Sequence, residues 1–228
     1  MEQKKIHDKE TLNTMIKLLN KGIKKFVVII RHSERHYHTE PLMEPYMGLT
    51  EKGKDYAFNL GENLPLNPYP KFFSSYFGRC IETSYLIQKG YIQKHNIFNN
   101  HNIIANELSA FYLNDIKKAI AMFTELGSSI FLRKWLEKSI PENIMKNPEK
   151  TVNIICNFLI TKLNEIDNGN IALCVSHDWN LIPLKEYKLG LTHEKSGDVE
   201  FLESVIFFEQ QGKYYITNYQ KEPQVLKC

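Results

Sequence analysis

A doubly wound α/β fold, with a mostly parallel sheet and helices on both faces, is predicted by three features of this sequence. Two short apolar runs of buried-strand type, Phe26-Val-Val-Ile-Ile30 and Ile171-Ala-Leu-Cys-Val175, stand far apart in the chain. Segments with helical periodicity alternate with these and with weaker strand candidates. Both apolar runs deliver chemistry-bearing residues at their C-terminal ends, Arg31-His32 and Ser176-His177-Asp178, which is where open α/β sheets gather their sites.

The elements follow in order. The Lys-rich start, from Lys4 to Lys25, is interrupted by Asp8 and Glu10 and carries Leu12, Met15, Ile16, Leu18 and Leu19 at helical spacing, so an amphipathic helix is expected over residues 8–22. After the first strand and a polar loop, Thr50 N-caps a helix running to Leu64, and Pro65, Pro68 and Pro70 punctuate its exit. Lys71-Phe-Phe-Ser-Ser75 reads as a strand, and Gly78-Arg79 opens a helix expected to end at Gly90. Residues 102–105 form a third strand leading to Glu107. Residues 114–166 are mostly helical with a break near Pro141, comprising a helical insert over 114–150 and a crossover helix. Asp167-Asn-Gly-Asn170 turns the chain into the second apolar strand, and residues 204–208 and 214–219 make a C-terminal β-hairpin. The whole chain, residues 1–228, reads as one domain with a helical elaboration.

Composition narrows the function classes. With 228 residues, 43% hydrophobic and 24% charged, the chain can bury a sizeable core. A net charge of +3 with no concentrated basic and aromatic face argues against nucleic acid as partner. Nothing in the sequence resembles a secretory core or about 18 uncharged apolar residues in a row, so a cytoplasmic chain without a membrane partner is expected. Cys80, Cys156, Cys174 and Cys228 are scattered, with neither the pairing of a zinc site nor the density of a disulfide scaffold. Buried or incidental thiols are expected instead.

The strand tip Arg31-His32-Ser33-Glu34-Arg35 suits a phosphate ester. Guanidiniums bind phosphate oxygens through a planar fork, and a neutral imidazole nitrogen can attack phosphorus. This segment, the Leu49-Thr50-Glu51-Lys52-Gly53 helix start, Ser74-Ser75 with Arg79 and Thr83, and Ser176-His177-Asp178 together resemble the histidine phosphatase superfamily, also called phosphoglycerate mutase-like. The match runs in the family's order over nearly the whole chain apart from the first helix and part of the insert.

The resemblance implies a metal-independent phosphatase, with no cofactor, acting on a small phosphorylated substrate through a phosphohistidine. His32 would be the nucleophile, and Arg31, Arg35, Arg79 and His177 would hold the phosphoryl group. Arg35 and the His177-Asp178 pair resemble the acid phosphatase and phytase branch, making Asp178 the favoured proton donor. Glu107 resembles the position from which the mutase branch takes its acid, so it stands as the alternative. Ser33 replaces the family's glycine. It would be strained if φ there is positive, and its hydroxyl is a candidate phosphate ligand. Three other readings stay open: a phosphomutase, a slow phospholigand-binding regulatory protein, and a metal-dependent hydrolase using His32, His36 and His38. The arginines beside those histidines oppose a divalent ion. Specificity is expected from the 36–47 loop and the insert, with Tyr37, Tyr46, Tyr76 and Trp179 as candidate walls. Oligomeric state is not legible.

Overall fold

The computed structural model describes residues 6–98, 101–109 and 112–227. The N-terminal Lys4 and Lys5, and the thiol of Cys228, lie outside the described residues. Among those described, a seven-stranded sheet has the order β3-β2-β4-β1-β5-β6-β7, with β1 Phe26–Arg31, β2 Tyr69–Ser74, β3 Ile103–Ile104, β4 Asn170–Ser176, β5 Ser204–Gln210, β6 Lys213–Asn218 and β7 Lys221–Val225. The first four strands run parallel, while β5 pairs antiparallel with β1 and begins an antiparallel meander.

Alternation along β1 explains the layers. Phe26, Val28 and Ile30 face a cluster built with α1 Asp8–Asn20, α2 Glu51–Asn63 and α3 Gly78–His95; Val27 and Ile29 face the opposite cluster. That second side is covered by α4 Ile116–Leu126, α5 Ser128–Leu136, α6 Pro148–Glu165 and α7 Asp178–Leu189, and the short α8 His193–Ser196 follows. Both apolar strands are buried on both faces, and helix layers therefore cover them.

Three sequence expectations are corrected. The helix expected to stop at Gly90 continues to His95 and ends at Asn96, which has φ 50°. Gly90 instead lets α3 touch α2: a Cβ there would lie 2.2 Å from the Phe58 carbonyl oxygen. Gly90→Ala is accordingly expected to cost about 1–3 kcal/mol, read as a lowered denaturation midpoint; a midpoint equal to the parent's would refute the close-contact role.

The C-terminal hairpin turns at Gln211 and Gly212, both at positive φ, and gains a third strand, β7. Its sequence, Lys-Glu-Pro-Gln-Val, is too polar to read as a strand and places Pro223 on a sheet edge, where a missing N–H is tolerated. Strand β2 also begins earlier than expected and includes Pro70.

Candidate active site

The site forms where β1, β2 and β4 end side by side. Their tips are held by backbone bonds that prolong the sheet: the His32 amide donates to the Ser176 carbonyl (2.9 Å) and the Ser75 amide to that of Val175 (3.0 Å). His32 and His177 thus emerge from neighbouring strands, with ring centroids 5.5 Å apart. Arg79 joins them from the first turn of α3, and Asp178 from the first turn of α7. Both helices direct their N-terminal ends to the cleft, where the positive pole of the helix dipole favours an anion.

His32 is held in one tautomer. Its Nδ1 lies 2.8 Å from the Ser33 carbonyl oxygen, which can only accept, so the proton sits on Nδ1 and Nε2 presents its lone pair. Arg79 Nε donates to that lone pair at 3.2 Å. The same guanidinium reaches His177 Nδ1 at 3.4 Å and the carbonyls of Glu44 and Pro45 at 3.3 and 3.2 Å. With Nδ1 accepting, His177 Nε2 carries the proton and donates to Ser75 Oγ at 3.0 Å.

Arg31 is 1% exposed, its Nη2 paired with Asp178 Oδ2 at 2.9 Å and its Nη1 donating to the Val199 carbonyl at 2.6 Å. The Phe201 ring lies 4.3 Å from its Cζ. Its Nε is buried without a hydrogen-bond partner, and so is the Nε of Arg35. Arg35 pairs with Glu44 at 2.5 Å. The 36–47 loop, which includes a 3-10 turn Pro41–Tyr46, therefore folds its own carboxylate and carbonyls over the guanidiniums. Three guanidiniums against two carboxylates leave excess positive charge in the cleft, as a dianion requires.

The structure brings His32, Arg35, Arg79, His177 and Asp178 onto one cleft of about 260 Å³, with Arg31 reaching it through Asp178. Two sequence candidates fall elsewhere. Glu107 sits exposed in a 3-10 turn, Asn106–Leu108, and lines a separate depression with Phe73, Ile104 and Lys162. Ser33 is fully buried and its hydroxyl donates to the Gly53 carbonyl at 2.7 Å, so it is not free for phosphate. Nor is it strained, because its φ is not positive. The close approach in this corner is made by Gly53, where a Cβ would lie 2.0 Å from the Glu34 carbonyl oxygen, and the Ser33 amide donates to Thr83 Oγ1.

Glu34 accepts from the Thr50 hydroxyl, tying the strand tip to the N-cap of α2. Of the four aromatic candidates, Trp179 lines the cleft; Tyr37 stacks on Arg35, and Tyr46 and Tyr76 are exposed. Among the described residues, no three His, Cys, Asp or Glu side chains cluster as a metal site. Cys80, Cys156 and Cys174 are buried and unbridged. Sequence reasoning missed Val199, Phe201 and Glu44, which hold the guanidiniums. They lie in irregular segments where no periodicity marks them.

Electrostatics favour neutral imidazoles at His32 and His177. Burial, followed by the field of Arg31, His177 and Arg79, holds His32 well below its ordinary value. Burial and then Arg79 pull His177 down to about 3. Between pH 6.5 and about 3 the unfolded chain takes up a proton that folded His177 refuses, so stability is full above 6.5 and declines as pH falls through that window.

A dianion in the cleft would favour the charged imidazole of His177. Sulfate, dianionic throughout this range, is expected to bind more tightly as pH falls from 7 to 5, by up to about ten-fold per unit for each proton taken up. Calorimetry in buffers of different ionisation enthalpy counts those protons; binding without proton uptake would contradict the role of His177.

No protein-family model and no curated protein sequence matches the chain. Solved structures do. YhfR of Bacillus stearothermophilus superposes with a TM-score of 0.61 at 18% identity, covering 86% of this chain and 97% of its own. A phosphoglycerate mutase from Bacillus anthracis gives 0.58 at 20%, covering 85% and 92%. A phosphoserine phosphatase from Entamoeba histolytica gives 0.56 at 16%, covering 85% and 95%. No helix among the described residues is long and apolar enough to cross a membrane. The architecture expected from the motifs and the architecture found by superposition agree: this chain has the phosphoglycerate mutase-like α/β fold.

Proposed function

We propose that this chain is a cytoplasmic, metal-independent phosphatase that hydrolyses a small phosphomonoester through a phosphohistidine on His32. The observation that carries the reading is the locked tautomer of His32, whose Nε2 lone pair faces the Arg79 guanidinium in an anion-seeking cleft.

In the first step the phosphoryl group displaces the internal partners of Arg31, Arg35 and Arg79. His32 Nε2 attacks phosphorus, the P–O ester bond breaks, and its electron pair leaves on the ester oxygen. Asp178, released from Arg31 by the entering phosphate, takes up a proton from water and passes it to that oxygen. In the second step water attacks the phosphohistidine, the P–N bond breaks and returns its pair to Nε2, and the water proton goes to the Asp178 carboxylate. Inorganic phosphate then departs. The guanidiniums stabilise the equatorial oxygens in both steps. Asp178 is preferred over Glu107 because it shares the cleft with His32.

The test is phosphate release from a panel of phosphomonoesters in EDTA. Metal-independent release supports the reading. Activity abolished by EDTA would make this a metal hydrolase, transfer of phosphate between substrate positions a mutase, and tight phosphate binding without turnover a binding protein.

A further inference from the structure

The cleft has two unlike ends, and the second carries information about the substrate. Beyond the guanidiniums and imidazoles, its wall is made by Leu113, Ile120, Phe123, Phe131, Met145 and Trp179. Among the described residues, every lining side chain supplied by the segment 113–145 is apolar. Ile120 and Phe123 project from α4, which is otherwise largely exposed, and are only half-buried. Both line the cleft, and Phe123 also packs against the core.

Behind them an aromatic cluster fixes the wall. Phe123 meets Phe131 edge to face at 5.6 Å, while Phe131 and Trp135 hold Trp179 at 6.2 and 5.5 Å. Apart from the single indole N–H of Trp179, such a wall offers no hydrogen-bond partner to hydroxyl groups, so a polyol or sugar bound there would lose most of its hydrogen bonds to water without compensation. An apolar group bound there gains from leaving water.

We propose that the substrate is a phosphomonoester of a small apolar alcohol, its hydrocarbon part lying against α4, α5 and Trp179. This rests on the phosphatase reading above and adds the class of leaving group. The cleft is open to solvent, and its volume of about 260 Å³, below the roughly 300–1,000 Å³ typical of pockets for drug-sized ligands, matches a short alcohol.

Straight-chain alkyl phosphates test this cleanly, because their leaving groups differ little in basicity and a change in kcat/KM reports burial. From ethyl to butyl phosphate, kcat/KM is expected to rise about four-fold per methylene, with glycerol phosphate falling below propyl phosphate. Ile120→Asp, at a half-buried position, should flatten the series while the melting temperature stays near the parent's, and Ile120→Leu should restore it.

Butylphosphonate and methylphosphonate, whose C–P bonds are not hydrolysed, are compared by calorimetry in parallel. If no ester is turned over yet butylphosphonate binds more tightly and Ile120→Asp removes the difference, the phosphatase reading fails and the apolar subsite stands. If esters are hydrolysed but the series is flat, or glycerol phosphate is preferred, the phosphatase reading stands and the apolar subsite is refuted.

Discussion

Replacing His32 by alanine is expected to lower kcat/KM for phosphomonoester hydrolysis by about 10⁴-fold or more, the scale on which covalent catalysis fails when its nucleophile is removed. Nothing near it can substitute. His177 Nδ1 already accepts from Arg79, and its Nε2 carries the proton donated to Ser75. The cleft's anion affinity should survive, because Arg31, Arg35 and Arg79 remain.

The variant thus separates chemistry from binding: single-turnover labelling with a radioactive phosphate ester should give an acid-labile phosphoenzyme in the parent and none in His32→Ala, while both retain sulfate. His177→Ala is the informative partner. It removes a donor rather than the attacking atom and should slow turnover while leaving the phosphoenzyme detectable. Hydrolysis by His32→Ala at the parental rate would overturn the nucleophile assignment.

Those residues were legible because two independent patterns converge on them. The apolar runs at 26–30 and 171–175 read as buried strands from hydrophobicity alone, and a parallel sheet puts the ends of such strands at one rim. His32 and His177 then fall together with no knowledge of side-chain packing, and Arg79 follows because the weaker strand segment at 71–75 ends at the same rim.

Features that depend on contacts between distant segments were not legible. Gly90 reads as a helix stop until α2 is seen against its Cα, and Ser33 reads as a phosphate ligand until Gly53 is seen to take its hydroxyl. Glu107 follows the expected strand, yet β3 spans only two residues and the turn after it leaves the carboxylate on another depression. The 36–47 loop reads in the sequence as a candidate for specificity, but the tie from Glu44 to Arg35 does not, because a loop carries no periodicity from which a side chain's direction follows.

The support beneath Arg31 is another such feature, and it leads to a large expected effect on stability. Lys185 on α7 pairs with Glu203 at 2.6 Å, with both side chains at most 2% exposed. Glu203 also accepts from the Glu200 amide at 2.9 Å, and its carbonyl accepts from the Arg31 amide at 2.9 Å. His7 Nδ1 lies 3.8 Å from the same carboxylate. The pair therefore anchors the segment 199–203, which supplies the Val199 carbonyl and the Phe201 ring to the Arg31 guanidinium.

Lys185→Ala leaves a carboxylate buried without its cation, a loss of about 3–5 kcal/mol and a large share of the roughly 5–15 kcal/mol that holds a typical domain folded. Because breaking a buried pair costs more than removing it, Lys185→Met combined with Glu203→Leu should recover most of that stability. Denaturant titration of Lys185→Met, Glu203→Leu and the double variant measures the coupling. If the losses simply add, Lys185 and Glu203 do not act as a pair; if stability returns in the double variant while kcat/KM stays low, the segment that steadies Arg31 needs Glu203 for geometry as well as for charge.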